Sequence, residues 1–75
     1  MDFSRSVGLR IREARWRSRQ TQTQVADKLC VSTGTICHWE KGIVGIDLES
    51  AKELAEVLGT SVAYLLGEEE WGGEA

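Results

Sequence analysis

The sequence of 75 residues contains no proline and only two cysteines, one histidine, one phenylalanine and one tyrosine. So few cysteines exclude a secreted fold held together by several disulfides, and they favour a reducing compartment. The chain also lacks an apolar run near the roughly 20 residues that a membrane-spanning helix needs. Its first residues show no apolar segment of the kind found in signal peptides. The sequence therefore predicts a cytoplasmic protein with no membrane partner.

Both cysteines and the histidine lie in one short stretch, LCVSTGTICHWEKG at 29–42. Cys30, Cys37 and His38 supply at most three metal ligands, one fewer than a closed structural zinc site needs. Adjacent helical residues also point about 100° apart, so a metal is not expected here. With one histidine and no glycine-rich phosphate loop, the chain offers no basis for catalysis. We expect no enzyme, no cofactor and no small-molecule substrate.

Charge is divided unevenly along the chain, although the net charge is only −3. Residues 1–41 carry eight of the nine Lys and Arg residues, and residues 42–75 carry eight of the twelve Asp and Glu residues. A basic half suits a phosphate-rich partner, and an acidic half limits nonspecific adhesion. The alternative is that both halves only keep a small protein in solution, and charge alone does not decide between the two.

Apolar residues recur at intervals of three and four positions, which predicts an all-α protein. The first helix places Phe3, Val7, Ile11 and Ala14 on one inward face. Polar residues suited to N-caps precede the later helices, namely Thr21, Ser32, Asp47 and Ser61. We predict five helices, at about residues 4–18, 22–29, 33–40, 48–58 and 62–66.

Only three residues, Cys30 to Ser32, separate the second predicted helix from the third. Two helices joined by so short a turn are typical of a helix-turn-helix. We predict one domain over residues 1–67, followed by an acidic, flexible tail over residues 68–75. A domain of this size has a small hydrophobic core, so association with a second subunit would add stability.

Six segments form a recognisable pattern, namely QTQVADKL at 22–29, VS at 31–32, Ile36, WEKG at 39–42, LE at 48–49 and LAEVLG at 54–59. Together they resemble the lambda repressor-like, Cro/C1-type helix-turn-helix family over about residues 7–66. The resemblance implies a compact five-helix domain with its helix-turn-helix at helices 2 and 3. It also implies binding to double-stranded DNA as a homodimer, and regulation of transcription, most simply as a repressor at a pseudo-palindromic operator.

The resemblance assigns roles to individual residues, with helix 3 entering the major groove. The base-reading positions fall on Thr33, Gly34, Thr35, Cys37 and His38. The phosphate contacts fall on Thr21, Gln22, Lys41 and Gly42. None of the base readers is an arginine or glutamine that makes a bidentate pair with a base. We therefore expect few direct contacts, and a larger share of the specificity from DNA shape or from loops.

The resemblance further implies an ion pair between Arg15 and Glu40. If both side chains are partly buried, losing either would cost more than an exposed pair's ~0.2–1 kcal/mol.

Apolar residues near the end of the domain are candidates for a dimer contact, namely Val62, Tyr64, Leu65 and Trp71. The equally simple alternative is that the fifth helix uses them to complete the core of the monomer. A different function also remains open, in which the fold serves as a protein-interaction module, such as an antirepressor, antitoxin or adaptor. The acidic second half and the lean set of base readers favour that reading, and the basic first half favours DNA.

Several positions depart from the usual pattern of the family. Arg19 and Cys30 stand where glycine is common, and a left-handed backbone is strained for a residue with a side chain. Gln20 stands where leucine is usual. We expect Cys30 to pack in the turn as a small hydrophobe. The loop at 43–46 carries no cation, and its aliphatic side chains pack either on the fourth helix or on a second subunit.

Overall fold

The computed structural model describes residues 3–70 of the chain. Within this range there are five helices and no strand, which confirms the all-α prediction. Each helix begins and ends within about one residue of its predicted bounds, as expected when caps mark the ends. None of the five helices combines the length with the hydrophobicity that a membrane-spanning segment requires. The helices are α1 (Phe3–Arg17), α2 (Gln22–Leu29), α3 (Thr33–Lys41), α4 (Leu48–Leu58) and α5 (Val62–Leu65).

The N-termini of α2 to α5 are set by side chains that accept hydrogen bonds from the first helical turn. At α2, the Thr21 hydroxyl accepts from the N–H of Gln24, and the Gln24 side chain accepts from the N–H of Thr21 at 2.8 Å. Hydrogen bonds from Ser50 lower the pKa of Asp47, the cap of α4. The carboxylate of Asp47 therefore helps folding above its unfolded pKa, and this help is lost as the pH falls through the lower folded value.

The core lies between α1, α3, α4 and α5, and α2 closes one side of it. Tyr64 and Leu65 belong to this core, so the structure places them inside the monomer rather than on a surface open to a second subunit. Val62 is half-buried against the core, and Trp71 lies outside the described residues. The buried residues that pack together as the core are Val7, Ile11, Ala14, Val25, Ala26, Ile36, Trp39, Leu54, Ala55, Leu58, Tyr64 and Leu65.

Two apolar expectations are wrong in the structure. Phe3 continues the inward stripe of α1, but it is 64% exposed because the first turn of the helix projects past the core. Cys30 is also exposed, because it ends α2 in a left-handed conformation that turns its side chain outward. In the loop, Ile46 packs against the core, whereas Ile43 and Val44 remain exposed.

Gln20 links three helices through its polar groups. Its Nε2 donates to the carbonyl of Val57 in α4 at 3.0 Å, and its Oε1 accepts from Nζ of Lys28 in α2 at 2.6 Å. Its own carbonyl accepts from Nη1 of Arg15 in α1 at 3.0 Å. A hydrogen-bonded connection therefore occupies the place where the family usually has an apolar leucine.

The backbone conformations at Arg19 and Cys30 are left-handed, each with φ of 59°. Because such a conformation costs a residue with a side chain roughly 1–2 kcal/mol, we expect Cys30→Gly to raise the free energy of unfolding by about 0.5–1 kcal/mol. Urea unfolding under reducing conditions measures this change. Cys37→Gly is the matched control, since a glycine inside α3 should lower the same quantity by about 1 kcal/mol. Equal destabilisation by both substitutions would contradict the prediction.

Candidate nucleic-acid interface

One face of α3 points away from the core and is open along its whole length. Ile36, Trp39 and Glu40 are buried, which fixes the rotation of the helix about its axis. Gly34 and His38, which are four residues apart and so lie one turn from each other, are exposed on the opposite side. The structure thus displays part of the predicted base-reading set on a convex helical surface of the kind that fits a groove.

Of the other three predicted base readers, Thr33 is exposed, whereas Thr35 and Cys37 are half-buried. Thr35 is half-buried, and its hydroxyl lies 3.0 Å from that of Ser32, the N-cap of α3. The hydroxyl of Thr33 lies 3.4 Å from that of Thr23 in α2. Cys37 is a half-buried free thiol. Thr33, Gly34 and His38 are therefore the exposed members of the predicted base-reading set.

The N-terminus of α2 lies beside the C-terminal half of α3. The Gln22 side chain donates from Nε2 to Oε1 of Glu40 at 3.1 Å, and this hydrogen bond braces α2 against α3. The backbone N–H groups of Gln22 and Thr23 lie in the first turn of α2, where the helix has no carbonyl four residues earlier to accept from them. They therefore point out of the positive end of the helix. Such a helix end favours an anion, and the exposed hydroxyl of Thr21 stands next to it.

Arg15 and Glu40 form a largely buried ion pair between α1 and α3. Nε of Arg15 lies 2.5 Å from Oε2 of Glu40, and Nη2 lies 3.1 Å from Oε1. The two side chains are only 11% and 4% exposed. With Nη1 donating to the carbonyl of Gln20 and Gln22 donating to Glu40, both charged groups have partners on several sides. The pair therefore fixes the positions of α1, the start of α2 and α3 relative to one another.

Gly42 does not fit the phosphate-contact role assigned to it from the sequence. Its N–H donates to the carbonyl of Trp39 at 3.2 Å, and the N–H of Ile43 donates to that of His38 at 3.0 Å. These hydrogen bonds end α3 in a left-handed turn with φ of 72° at Gly42, and they occupy the donors that a phosphate would need. Gly42 instead allows the backbone of α1 to pass close to the end of α3, because a Cβ at Gly42 would lie 2.6 Å from Cα of Arg5.

Lys41 is exposed at the end of α3 and borders a small depression between α1, α2 and α3. This depression has a volume of about 160 Å³. Its lining residues are Arg12, Arg15, Gln22, Glu40 and Lys41. It thus brings three basic side chains and one amide together beside α3.

Gly8 is a structural position that the sequence reasoning passed over. A Cβ on Gly8 would lie 2.4 Å from the carbonyl oxygen of Glu40 and 2.5 Å from that of Trp39. Only a glycine allows α1 to cross the backbone of α3 this closely. An isolated glycine inside an otherwise regular helical pattern was the available signal.

The described residues include no group of three or more His, Cys, Asp or Glu side chains placed to hold a metal ion. Cys30 and Cys37 are both free thiols.

Comparison with known proteins relates the chain to regulators. The model of a family described as helix-turn-helix matches residues 11–65. The HTH-type transcriptional regulator ImmR of Bacillus subtilis (strain 168) is 31% identical over 65 residues, which cover 87% of this chain and 51% of ImmR. The chain thus spans about half the length of that curated relative.

Two solved structures share the fold. The clp gene regulator ClgR from Corynebacterium glutamicum superposes with a TM-score of 0.85 at 26% identity, over 91% of this chain and 87% of that one. Hydroxypropylphosphonic acid epoxidase from S. wedmorenis matches with a TM-score of 0.78 at 27% identity, over 83% of this chain but only 33% of that one. The same arrangement of helices therefore occurs both in a gene regulator and as a part of an enzyme chain.

Proposed function

The chain belongs to the helix-turn-helix family, and from this premise we propose that it is a sequence-specific regulator of transcription that binds double-stranded DNA in the cytoplasm. The observation that carries the proposal is the contact of Gln22 with Glu40. It joins an anion-binding helix end to the helix whose outer face is open. A phosphate held at α2 thereby sets where α3 lies on the duplex. The resemblance of the chain to ImmR and ClgR supports a role in regulation rather than in catalysis.

In the proposed complex α3 lies in the major groove. His38 donates to a guanine N7 or O6, and the threonines of α3 offer hydroxyl and methyl groups to base edges. Gly34 has no side chain, and a Cβ there would meet only Oγ of Ser32 at 3.8 Å. The helix can therefore approach the bases closely at that turn. With so few direct readers, the shape of the DNA supplies a large share of the specificity.

The positions of α2 and of Lys41 supply the proposed contacts to the sugar-phosphate backbone. Gln22 and Thr21 bind one phosphate at the N-terminus of α2, and Lys41 binds another at the end of α3. These contacts carry affinity and orientation but no sequence information. The buried pair of Arg15 and Glu40 has no free charge to offer, so its part is to hold α2 and α3 in position.

We further propose that the protein acts as a dimeric repressor on a pseudo-palindromic operator. Repression needs only occupancy of a site, which a small domain can provide without contacting the transcription machinery. In a dimer the two α3 helices lie about one turn of DNA, or ~34 Å, apart. Because Tyr64 and Leu65 fill the core, the contact area has to come from residues at the surface. Sedimentation that shows only monomers, with and without operator, would exclude the dimer.

Selection of bound sites from random duplex DNA tests the proposal, and two substitutions in the selected complex separate the two kinds of contact. We expect Gln22→Ala to weaken binding to every sequence alike, by about tenfold, because it removes a phosphate contact. Gln24→Ala is the control on the same helix, since it removes only the reciprocal cap. His38→Ala should instead lose preference at one base position, by about tenfold, and bind other positions as before.

The competing candidate is a protein-interaction module with weak or no DNA binding. Two observations favour this candidate: the second half of the chain is acidic, and the chain matches one part of an epoxidase chain. A gel shift across a range of salt concentrations separates the two candidates. The affinity of a DNA-binding protein falls by about one decade per decade of salt for each phosphate contacted. No enrichment of any sequence at any salt concentration would favour the interaction module.

A further inference from the structure

The depression beside α2 and α3 contains a cation that the ion-paired network leaves unused. Arg15 directs its guanidinium to Glu40 and to the carbonyl of Gln20, so its positive charge is matched by a buried carboxylate. Arg12 lines the same depression one turn earlier on α1. Its side chain is exposed, and the contact that the structure gives it is with an aromatic ring rather than with an acid. No acid of the described residues forms an ion pair with Arg12, so its guanidinium is open to a ligand at the edge of the site.

Trp16 supplies that aromatic contact. Cζ of Arg12 lies over the indole ring, 4.6 Å from its centroid, within the range of a cation–π interaction. Arg12 and Trp16 are four residues apart on α1, so they lie on the same face of the helix. Trp16 is 56% exposed and takes no part in the core. An exposed tryptophan at this position is explained if it limits the movement of the guanidinium above it.

Arg17, another exposed arginine of α1, forms an ion pair with an acid. Nε of Arg17 lies 2.8 Å from Oε2 of Glu13, in a pair that is about half exposed. Arg17 also lies on the side of α1 that faces α5, away from α2 and α3. Two exposed arginines of one helix thus differ both in their partner and in the surface that they border, which makes them a matched pair for an experiment.

We propose that Arg12, held over the ring of Trp16, is a further phosphate-binding residue of the DNA interface, and that Trp16 is its positioning residue. This inference rests on the proposed DNA-binding function and extends its backbone contacts from α2 and α3 to α1. The planar guanidinium matches two oxygens of one phosphate, and stacking on an indole leaves its N–H edge free for them. Arg12, Gln22 and Lys41 then border one depression. Among residues 3–70, no acid forms an ion pair with Arg12 or Lys41.

The test compares Arg12→Ala with Arg17→Ala by fluorescence anisotropy on a duplex selected by the protein itself. Both substitutions remove one exposed arginine from α1, so they change the net charge of the protein equally. We expect Arg12→Ala to weaken binding about tenfold at 50 mM salt but only about twofold at 300 mM, because loss of one phosphate contact lowers the salt slope by about one. Arg17→Ala should change the affinity less than twofold and leave the slope as it is.

Trp16→Leu tests the positioning role, because it keeps an apolar side chain but removes the face of the ring. We expect about a threefold loss of affinity in the otherwise unchanged protein and no further loss in the Arg12→Ala variant. That absence of additivity separates a residue that acts through Arg12 from one that merely stabilises the fold. Circular dichroism should show the same melting temperature for all variants within a few degrees, since the side chains of Arg12, Trp16 and Arg17 are exposed.

Retention on a heparin column distinguishes failure of the inference from failure of the proposed function. If the protein binds duplex DNA but Arg12→Ala and Arg17→Ala behave alike, Arg12 is not a phosphate ligand while DNA binding stands. If no duplex is bound but Arg12→Ala alone elutes from heparin at lower salt, Arg12 does bind anions and the DNA-binding proposal fails. If the protein neither binds duplex DNA nor is retained on heparin, both proposals are wrong.

Discussion

Replacement of Gly8 by alanine is expected to lower the free energy of unfolding by about 3 kcal/mol. The added Cβ would lie 2.4 and 2.5 Å from the carbonyl oxygens of Glu40 and Trp39, which are backbone atoms and cannot rotate away. To make room, α1 has to move off α3, and this movement opens the core along Val7 and Ile11. For a domain of this size such a loss is a large part of the total stability. Urea unfolding followed by circular dichroism measures it.

Gly34→Ala is the control for this substitution, because it also replaces a helical glycine but on the open face of α3. A Cβ at that position would meet only Oγ of Ser32 at 3.8 Å. The higher helix propensity of alanine should then stabilise the domain, by up to about 1 kcal/mol. The two substitutions are thus expected to have opposite signs. A Gly8→Ala variant as stable as the natural sequence would show that α1 does not cross α3 as closely as described.

The helix ends are readable from the sequence because capping is local chemistry. The hydroxyl of Ser32 and the carboxylate of Asp47 bind N–H groups three residues away, so each marks a helix start whatever surrounds it. The same applies to the left-handed conformation of Gly42, which follows from its place after the last turn of α3. Five helices and a helix-turn-helix are therefore predictable without knowledge of how the helices pack.

Distances between helices are not local, and there the sequence is a weaker guide. The stripe that includes Phe3 shows which side of α1 faces inward, but not that the first turn projects beyond the core. The role of Gly8 depends on which backbone crosses it. The family pattern marks Gly42 as part of the site, but only the structure shows that its N–H is already bonded within the turn. What the pattern predicts least well is which donors and charges remain free.

That limit applies to the cations of the interface as well. Family resemblance draws attention to Arg15, yet its guanidinium is bonded to Glu40 and to the carbonyl of Gln20. Arg12 carries no family role and resembles any exposed helical arginine in the sequence. Its place beside Gln22 becomes visible only when α1, α2 and α3 are assembled.

Removal of the Glu40 carboxylate has the other large expected effect. We expect Glu40→Ala to lower the free energy of unfolding by about 3–5 kcal/mol, since it leaves the guanidinium of Arg15 buried without a counter-charge. Gln22 also loses the acceptor that holds it against α3. Glu13→Ala is the control, because it breaks an exposed pair with Arg17 on the surface of α1 and should cost less than about 1 kcal/mol. Urea unfolding compares the two variants, and equal losses would mean that the buried pair contributes no more than an exposed one.

Stability and DNA binding can be separated at this pair by replacing both members together. The double variant Arg15→Met with Glu40→Leu removes both buried charges and keeps apolar volume, so it should recover most of the stability that Glu40→Ala loses. It does not restore an acceptor for Nε2 of Gln22, so the phosphate contact of α2 stays unbraced against α3. We therefore expect a folded protein whose affinity for its selected duplex is about tenfold lower, measured by fluorescence anisotropy. Full recovery of both stability and affinity would show that the pair serves folding alone and that Gln22 needs no partner to hold a phosphate.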